Sequence, residues 1–179
     1  MESKKMPADE RRKFILRLLK SSGGPVTGRE MAEKTNVSRQ VIVGDISLLR
    51  AKGEPIIATS QGYLYIRKSG PEFEKTIVCQ HTPEETEAEL NLLVDHGVTV
   101  QNVTVEHSVY GEITASIMVS NRMEVKQFMQ QIKETGSSLL SELTNGIHLH
   151  TISASSEEAL EQAVRALKSA GFLVKEDQE

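Results

Sequence analysis

Up to residue 53 the apolar positions recur at helical spacing in three blocks. "PADERRKFILRLLKSSGG" sets Ile15, Leu18 and Leu19 at i, i+3 and i+4, with acids early and Gly23-Gly24 at the end, which predicts a helix. "TGREMAEKT" opens on Thr27 with Glu30 three residues later, the signature of a capping box at a second helix start. After a turn at Asn36-Val37, Ser38 caps a third helix, "SRQVIVGDISLLRAKG", with Val41, Ile42, Ile46 and Leu49 inward and Gly53 closing it. The period then changes: "PIIATSQGYLYIRK" holds two short β-patterned runs around Ser60-Gln61-Gly62, a hairpin.

From residue 74 strand and helix patterns mix. "KTIVCQ" predicts a strand and "TPEETEAELNLLVDHG" a helix capped by Thr82, with Pro83 at its first position and Gly97 at its end. "VTVQNVTVEHSVYGEITASIMVS" predicts two strands around a turn near Tyr110-Gly111, and "NRMEVKQFMQQIKETG" a second helix. "SSLLSEL" and "GIHLHTIS" predict a hairpin, "SSEEALEQAVRALKSAG" a third helix, and a short "FLV" follows. The order βαββαββα places helices on one face of a mostly antiparallel sheet, a two-layer α+β sandwich. "RKSGPEF", with Ser69, Gly70 and Pro71 in sequence, is the natural junction. The expected division is 1–68, a linker at 69–73, and 74–179.

Charge sharpens that division. Residues 1–68 hold 14 Lys and Arg against 7 Asp and Glu, a net of +7, whereas residues 69–179 hold 7 against 18, a net of −11, together with all five histidines. A basic module for nucleic acid beside an acidic module of another kind is the expectation. A chain of 179 residues with 38% hydrophobic and 4% aromatic content supports one sizeable core or two small, aliphatic ones. No apolar run approaches the ~20 residues of a membrane span, the charged start lacks a signal-peptide core, and Cys79 is the single cysteine. A soluble cytoplasmic protein, with no membrane partner, is expected.

Helix, helix, tight turn, helix and hairpin is the winged helix-turn-helix layout. The first 68 residues resemble the helix-turn-helix family with the signature S-R-x-x-I-x-x-D-I-x-x-L-x-x-x-G, matched at Ser38, Arg39, Ile42, Asp45, Ile46, Leu49 and Gly53. In such a domain the third helix enters the major groove N-terminus first, so Ser38, Arg39 and Gln40 lie nearest the bases. Arg39 matches a guanine edge and Gln40 an adenine edge, unless either is spent on phosphate. Related proteins commonly carry basic residues where this chain has Val43 and Gly44; Val43 is limited to a thymine methyl, and Gly44 costs the helix ~1 kcal/mol against Ala. Lys52, Arg67 and Lys68 are candidate phosphate clamps or plain surface charge. One such domain binds weakly, so a homodimer on palindromic operator DNA is expected.

The acidic half carries "NGIHLHT". Side chains alternate along a strand, so His148 and His150 share a face with Cα atoms ~6.5 Å apart. His81 ends the first strand just ahead of a helix carrying Glu85 and Glu89 one turn apart. If those strands are neighbours, three imidazoles and a carboxylate converge, a set suited to a divalent transition metal such as Ni, Zn, Fe or Mn. Without that convergence the pair is an ordinary solvated or satisfied patch. Cys79 shares the strand face of His81, either as a ligand or as a buried inert thiol. His96, at a helix end, complements the helix dipole.

The motifs "HTPEE", "EHSVYGE", "NRMEV" and "GIHLHT", in that order behind the winged helix, resemble the niacin-responsive transcriptional repressors with a three-histidine effector domain. The resemblance runs nearly end to end. It implies an HPr-like sandwich, a homodimer, nicotinic acid as co-repressor, and control of NAD biosynthesis or niacin-uptake genes. It assigns His81, Glu89, His148 and His150 as metal ligands, with Glu85 the alternative carboxylate. His107 and Tyr110 in "HSVYG" fall near the effector pocket, or His107 is a histidine satisfied by sheet-edge hydrogen bonds; Ser108 stands where relatives often have Pro. Arg122 is a candidate for the effector's carboxylate, or simple helix-start charge. Two other readings remain open: a winged-helix regulator with a different signal, and a metal-dependent hydrolase, against which no phosphate loop or nucleophile elbow is found.

Overall fold

The computed structural model describes residues 5–67 and 72–175, so Lys68 and most of the expected linker lie outside the described residues. The chain divides into two compact units, residues 1–68 and 69–179.

In the first unit three helices, α1 (Ala8–Ser21), α2 (Gly28–Thr35) and α3 (Arg39–Ala51), precede a hairpin of β1 (Ile56–Thr59) and β2 (Gly62–Tyr65). The Thr27 and Ser38 hydroxyls accept from the backbone N–H groups of Glu30 and Val41, satisfying donors that a helix start leaves free. Ile15, Met31, Ile42, Ile46 and Leu49 form the core, but Val41 stays 38% exposed because it lies off the inward stripe. The hairpin is clamped to the segment before α2 by reciprocal backbone bonds between Val26 and Tyr63 of 2.9 and 2.8 Å. A Cβ on Gly62, at φ +130°, would sit 2.7 Å from the Val26 carbonyl oxygen, so glycine is required there.

The second unit contains β3 (Phe73–Gln80), a 3-10 turn at Pro83–Glu85, α4 (Thr86–Asp95), β4 (Thr99–His107), β5 (Gly111–Val119), α5 (Arg122–Thr135), a second 3-10 turn at Leu140–Thr144, β6 (Ile147–Ala154) and α6 (Glu157–Ala170). The strands form one antiparallel sheet in the order β3-β6-β4-β5. Leu90 and Leu93 of α4, Val125 of α5 and Leu167 of α6 pack with Val100, Val119 and Ile152 of the sheet in one core. The class is α+β. No helix among the described residues is long and apolar enough to cross a membrane.

Two strands of the expected order differ. "SSLLSEL" forms the second 3-10 turn and pairs with nothing: the Leu139 N–H donates to the Glu142 carboxylate at 2.6 Å, and Gly146 N–H to the Ser141 carbonyl at 2.9 Å. The segment meets its backbone needs locally, and its adjacent leucines lack the alternation a strand requires. "FLV" reduces to an isolated bridge between Leu173 and Cys79.

One irregularity positions the site. Register in β4 shifts between Val100 and Asn102 against β5, and between Val100 and Thr104 against β6. The bulge changes the inward parity from Val100 to Val105, both fully buried, and leaves Asn102 paired with Ser116 of β5 but out of register with β6.

Candidate functional site

The β3–β6 register sets Cys79 opposite His148 and Ile77 opposite His150. These residues face the helices, as Ile152 does in the core, and His81 continues the alternation just past the end of β3. Glu89 enters from α4 and is 0% exposed; His148 and His150 are 2% and 3% exposed. The Glu89 carboxylate lies 2.7 Å from His81 Nε2, 3.3 Å from His148 Nε2 and 3.4 Å from His150 Nε2.

Each imidazole is pinned from behind. The Nδ1–H groups of His81, His148 and His150 donate to the carbonyls of Thr82 (2.8 Å), Gly146 (2.8 Å) and Asn102 (2.7 Å). A carbonyl only accepts, so in the neutral ring the proton is on Nδ1 and the Nε2 lone pair points inward. Neutral rings turn three lone pairs toward the carboxylate, an arrangement that a divalent cation satisfies; a proton on His81 Nε2, donated to Glu89 at 2.7 Å, satisfies that pair in its place. Burial alone would raise the Glu89 carboxyl, but charge at His150 and bonds from His148, His150 and His81 hold it well below the usual carboxylate range. For His81, burial opposes the charged form, yet the bond and charge of Glu89 outweigh it and raise the imidazole. Three nitrogens and an oxygen, with tautomers fixed by backbone acceptors, fit a first-row divalent ion.

The neighbours sort themselves around this set. Glu85 turns back to accept from Thr82 N–H at 2.9 Å and the Thr82 hydroxyl at 3.2 Å, so it serves the helix start. Cys79 Sγ, fully buried, lies within 4.8 Å of ligand atoms of Glu89 and His148. Burial, then the Glu89 carboxylate, pushes its pKa far upward and disfavours the thiolate.

Above His148 and His150 opens a cavity of about 230 Å³, walled by Val103, Ile117, Phe128, Ile132 and Leu139 and reached by Glu89, Ser141 and Thr86. No lysine or arginine lines it among the described residues. His107, Tyr110 and Arg122 do not line it either. His107 Nδ1 accepts from Val109 and Tyr110 N–H at 3.1 and 3.3 Å, closing the β4–β5 turn, and Tyr110 is 77% exposed. Arg122 makes a two-pronged pair with Asp95 at 2.7 and 2.5 Å on the surface. His96 Nδ1–H donates to Leu92 O at 2.8 Å, which is helix-end work.

Sequence reasoning passed over Thr86, Asn102, Gly146 and the apolar walls. Asn102 had a signal: inward valines at 98, 100, 103 and 105 include one interval of three, the phase shift of a bulge. Gly146, at φ +89°, presses its backbone against His81; a Cβ there would collide with the His81 carbonyl oxygen. Thr86 gave no signal.

On α3, Arg39, Gln40 and Gly44 are exposed and Val43 half-buried, a continuous outward strip starting at the helix N-terminus. The Ser38 hydroxyl is committed to its cap at 3.4 Å. Nothing lies within 4 Å of a Cβ on Gly44, so no contact within the chain demands glycine there. Lys52 and Arg67 are exposed, after α3 and β2 respectively.

Comparison with known proteins places both units. Residues 11–64 match the helix-turn-helix (HTH) domain family and residues 74–176 the 3H domain family. The transcription repressor NadR of Bacillus subtilis is 51% identical over 178 residues, covering 98% of this chain and 99% of that protein. The probable transcription repressor NiaR of Thermotoga maritima is 44% identical over 168 residues, 93% of this chain and 95% of that protein.

Proposed function

The chain belongs to the family of niacin-responsive transcription repressors and is a DNA-binding regulator; on that premise we propose that nicotinic acid is its co-repressor and binds in the cavity above the histidine cluster. The observation that carries this reading is the convergence of three tautomer-fixed imidazoles and Glu89 at the floor of an apolar cavity. His81, Glu89, His148 and His150 would hold a divalent ion, with Zn or Ni best suited to that set. Such an ion supplies the positive charge that the cavity's other walls lack. On three neutral imidazoles and one carboxylate it leaves a net +1, which a monoanionic aromatic acid neutralises and a neutral amide does not. Burying an uncompensated charge is costly, so the acid is preferred over nicotinamide.

The cavity walls, rather than His107, Tyr110 and Arg122, contact the effector in this reading. Arg39, Gln40 and Val43 read base edges while Lys52, Arg67 and the Ser38 end of α3 engage phosphates. A homodimer in the cytoplasm places two such helices on a palindromic operator of genes for NAD biosynthesis or niacin uptake. Nicotinic acid tightens operator binding only if it prefers the DNA-competent dimer.

Calorimetric titration of nicotinic acid into the full chain, metal-loaded and then chelated, tests the reading. Binding only to the loaded form is expected. Equal binding to both overturns the role of the metal, and no heat in either removes nicotinic acid as the signal.

A further inference from the structure

Among the described residues, Thr86 Oγ1 is the buried side-chain polar atom left with no hydrogen-bond partner. Thr86 is 7% exposed and lines the cavity beside Glu89, three residues along α4. A threonine in a helix usually bonds back to the carbonyl four residues earlier. Here that carbonyl, Thr82 O, already accepts from His81 Nδ1–H at 2.8 Å and from Glu85 N–H at 3.1 Å. The imidazole that completes the cluster therefore takes the acceptor that Thr86 would otherwise use. A buried, unpaired hydroxyl destabilises the fold, and it is retained at the wall of a cavity whose other sides are largely apolar.

We propose that Thr86 is a specificity-determining residue whose hydroxyl donates to the ring nitrogen of a pyridine carboxylate bound in the cavity, so that the site tells nicotinate from benzoate. The inference rests on the nicotinic acid reading above. Residues three apart on a helix set side chains ~5–6 Å from one another. Thr86 and Glu89 therefore line the same cavity from neighbouring positions and can meet two polar ends of one aromatic ligand. With the acid group on the Glu89 side, where the cation neutralises it, the nitrogen falls at Thr86. A site built to hydrogen-bond one polar atom rejects an isostere lacking it, because its own group is then left unpaired.

The test uses the metal-loaded full chain, wild type, Thr86→Val and Thr86→Ser, titrated with nicotinic acid and with benzoic acid. The wild type is expected to prefer nicotinate by about tenfold or more, Thr86→Val to lose about tenfold of that preference, and Thr86→Ser to keep it. Thr86→Val is also expected to raise the Tm of the ligand-free protein, since it removes the orphaned hydroxyl, which separates a lost contact from a lost fold. If Thr86→Val weakens nicotinate and benzoate alike, the hydroxyl meets the carboxylate and the ring-nitrogen assignment fails. If it changes neither, Thr86 is not a recognition residue. If the wild type itself binds no nicotinate, the parent reading falls along with this one.

Discussion

Each unit of this protein buries one carboxylate among nitrogen bases, and the two clusters do opposite things. Asp45, 3% exposed, faces guanidinium groups: Arg11 Nε at 2.5 Å and Arg12 Nη1 at 3.2 Å, joining α1 to α3. Both partners are permanently charged donors, so the cluster is complete as it stands. Glu89, 0% exposed, faces three imidazoles whose Nδ1–H groups are committed to backbone carbonyls. It meets titratable bases that offer lone pairs when neutral, so its partner is a cation or a proton. What the backbone has already satisfied behind each base decides whether a buried carboxylate fastens a fold or builds a ligand site.

Removing Asp45 gives the largest expected effect. Asp45→Ala leaves Arg11 buried without its partner and should cost the winged-helix unit about 3–5 kcal/mol, read as an early unfolding transition in urea. Next comes Gly146→Ala. Its positive φ and the collision with the His81 carbonyl should cost about 3 kcal/mol, and the same shift misplaces the acceptor of His148, so metal content falls with Tm.

Glu89→Gln sharpens the contrast. The amide keeps the shape but loses the negative charge that His150 and the His148, His150 and His81 bonds favour, so the chelated protein should lose about 1–2 kcal/mol, less than Asp45→Ala costs its unit. Metal affinity should nevertheless drop by about two orders of magnitude or more, measured as metal retained after dialysis. If Glu89→Gln unfolds the chelated protein as badly as Asp45→Ala unfolds its unit, Glu89 is a structural ion partner and the distinction fails.

Legibility in the sequence followed the same line. The Asp45 cluster sits within a motif of fixed spacing, and the inward stripes of α1 and α3 placed both helices correctly, because helical period and capping are local properties. His148 and His150 were legible as a pair on one face for the same reason. That His81 meets them was not a local property: it needed the β3–β6 register, which resemblance supplied and spacing could not. The choice between Glu85 and Glu89 was closed to sequence, since helical spacing sets both on one face; the turn of Glu85 back onto Thr82 and the burial of Glu89 against the imidazoles separate them. The second 3-10 turn was misjudged as a strand because Leu139 and Leu140 are apolar, and their burial comes from roofing the cavity rather than from a ladder.

The smallest effect is expected at a third charged pair, and it tests where the effector sits. Arg122 and Asp95 pair on the surface, joining the start of α5 to the end of α4. Exposed pairs contribute little because water and salt screen them and two long side chains lose freedom in forming them. The guanidinium is spent on Asp95 and lines no part of the cavity. Arg122→Ala should therefore leave nicotinate affinity of the metal-loaded protein unchanged within about twofold, as expected for an exposed, screened pair. A tenfold loss would mean that the effector's carboxylate leaves the histidine cluster for the α5 start. The net positive charge on the cluster would then have no anionic partner, and the reason for pairing a metal with this cavity would go with it.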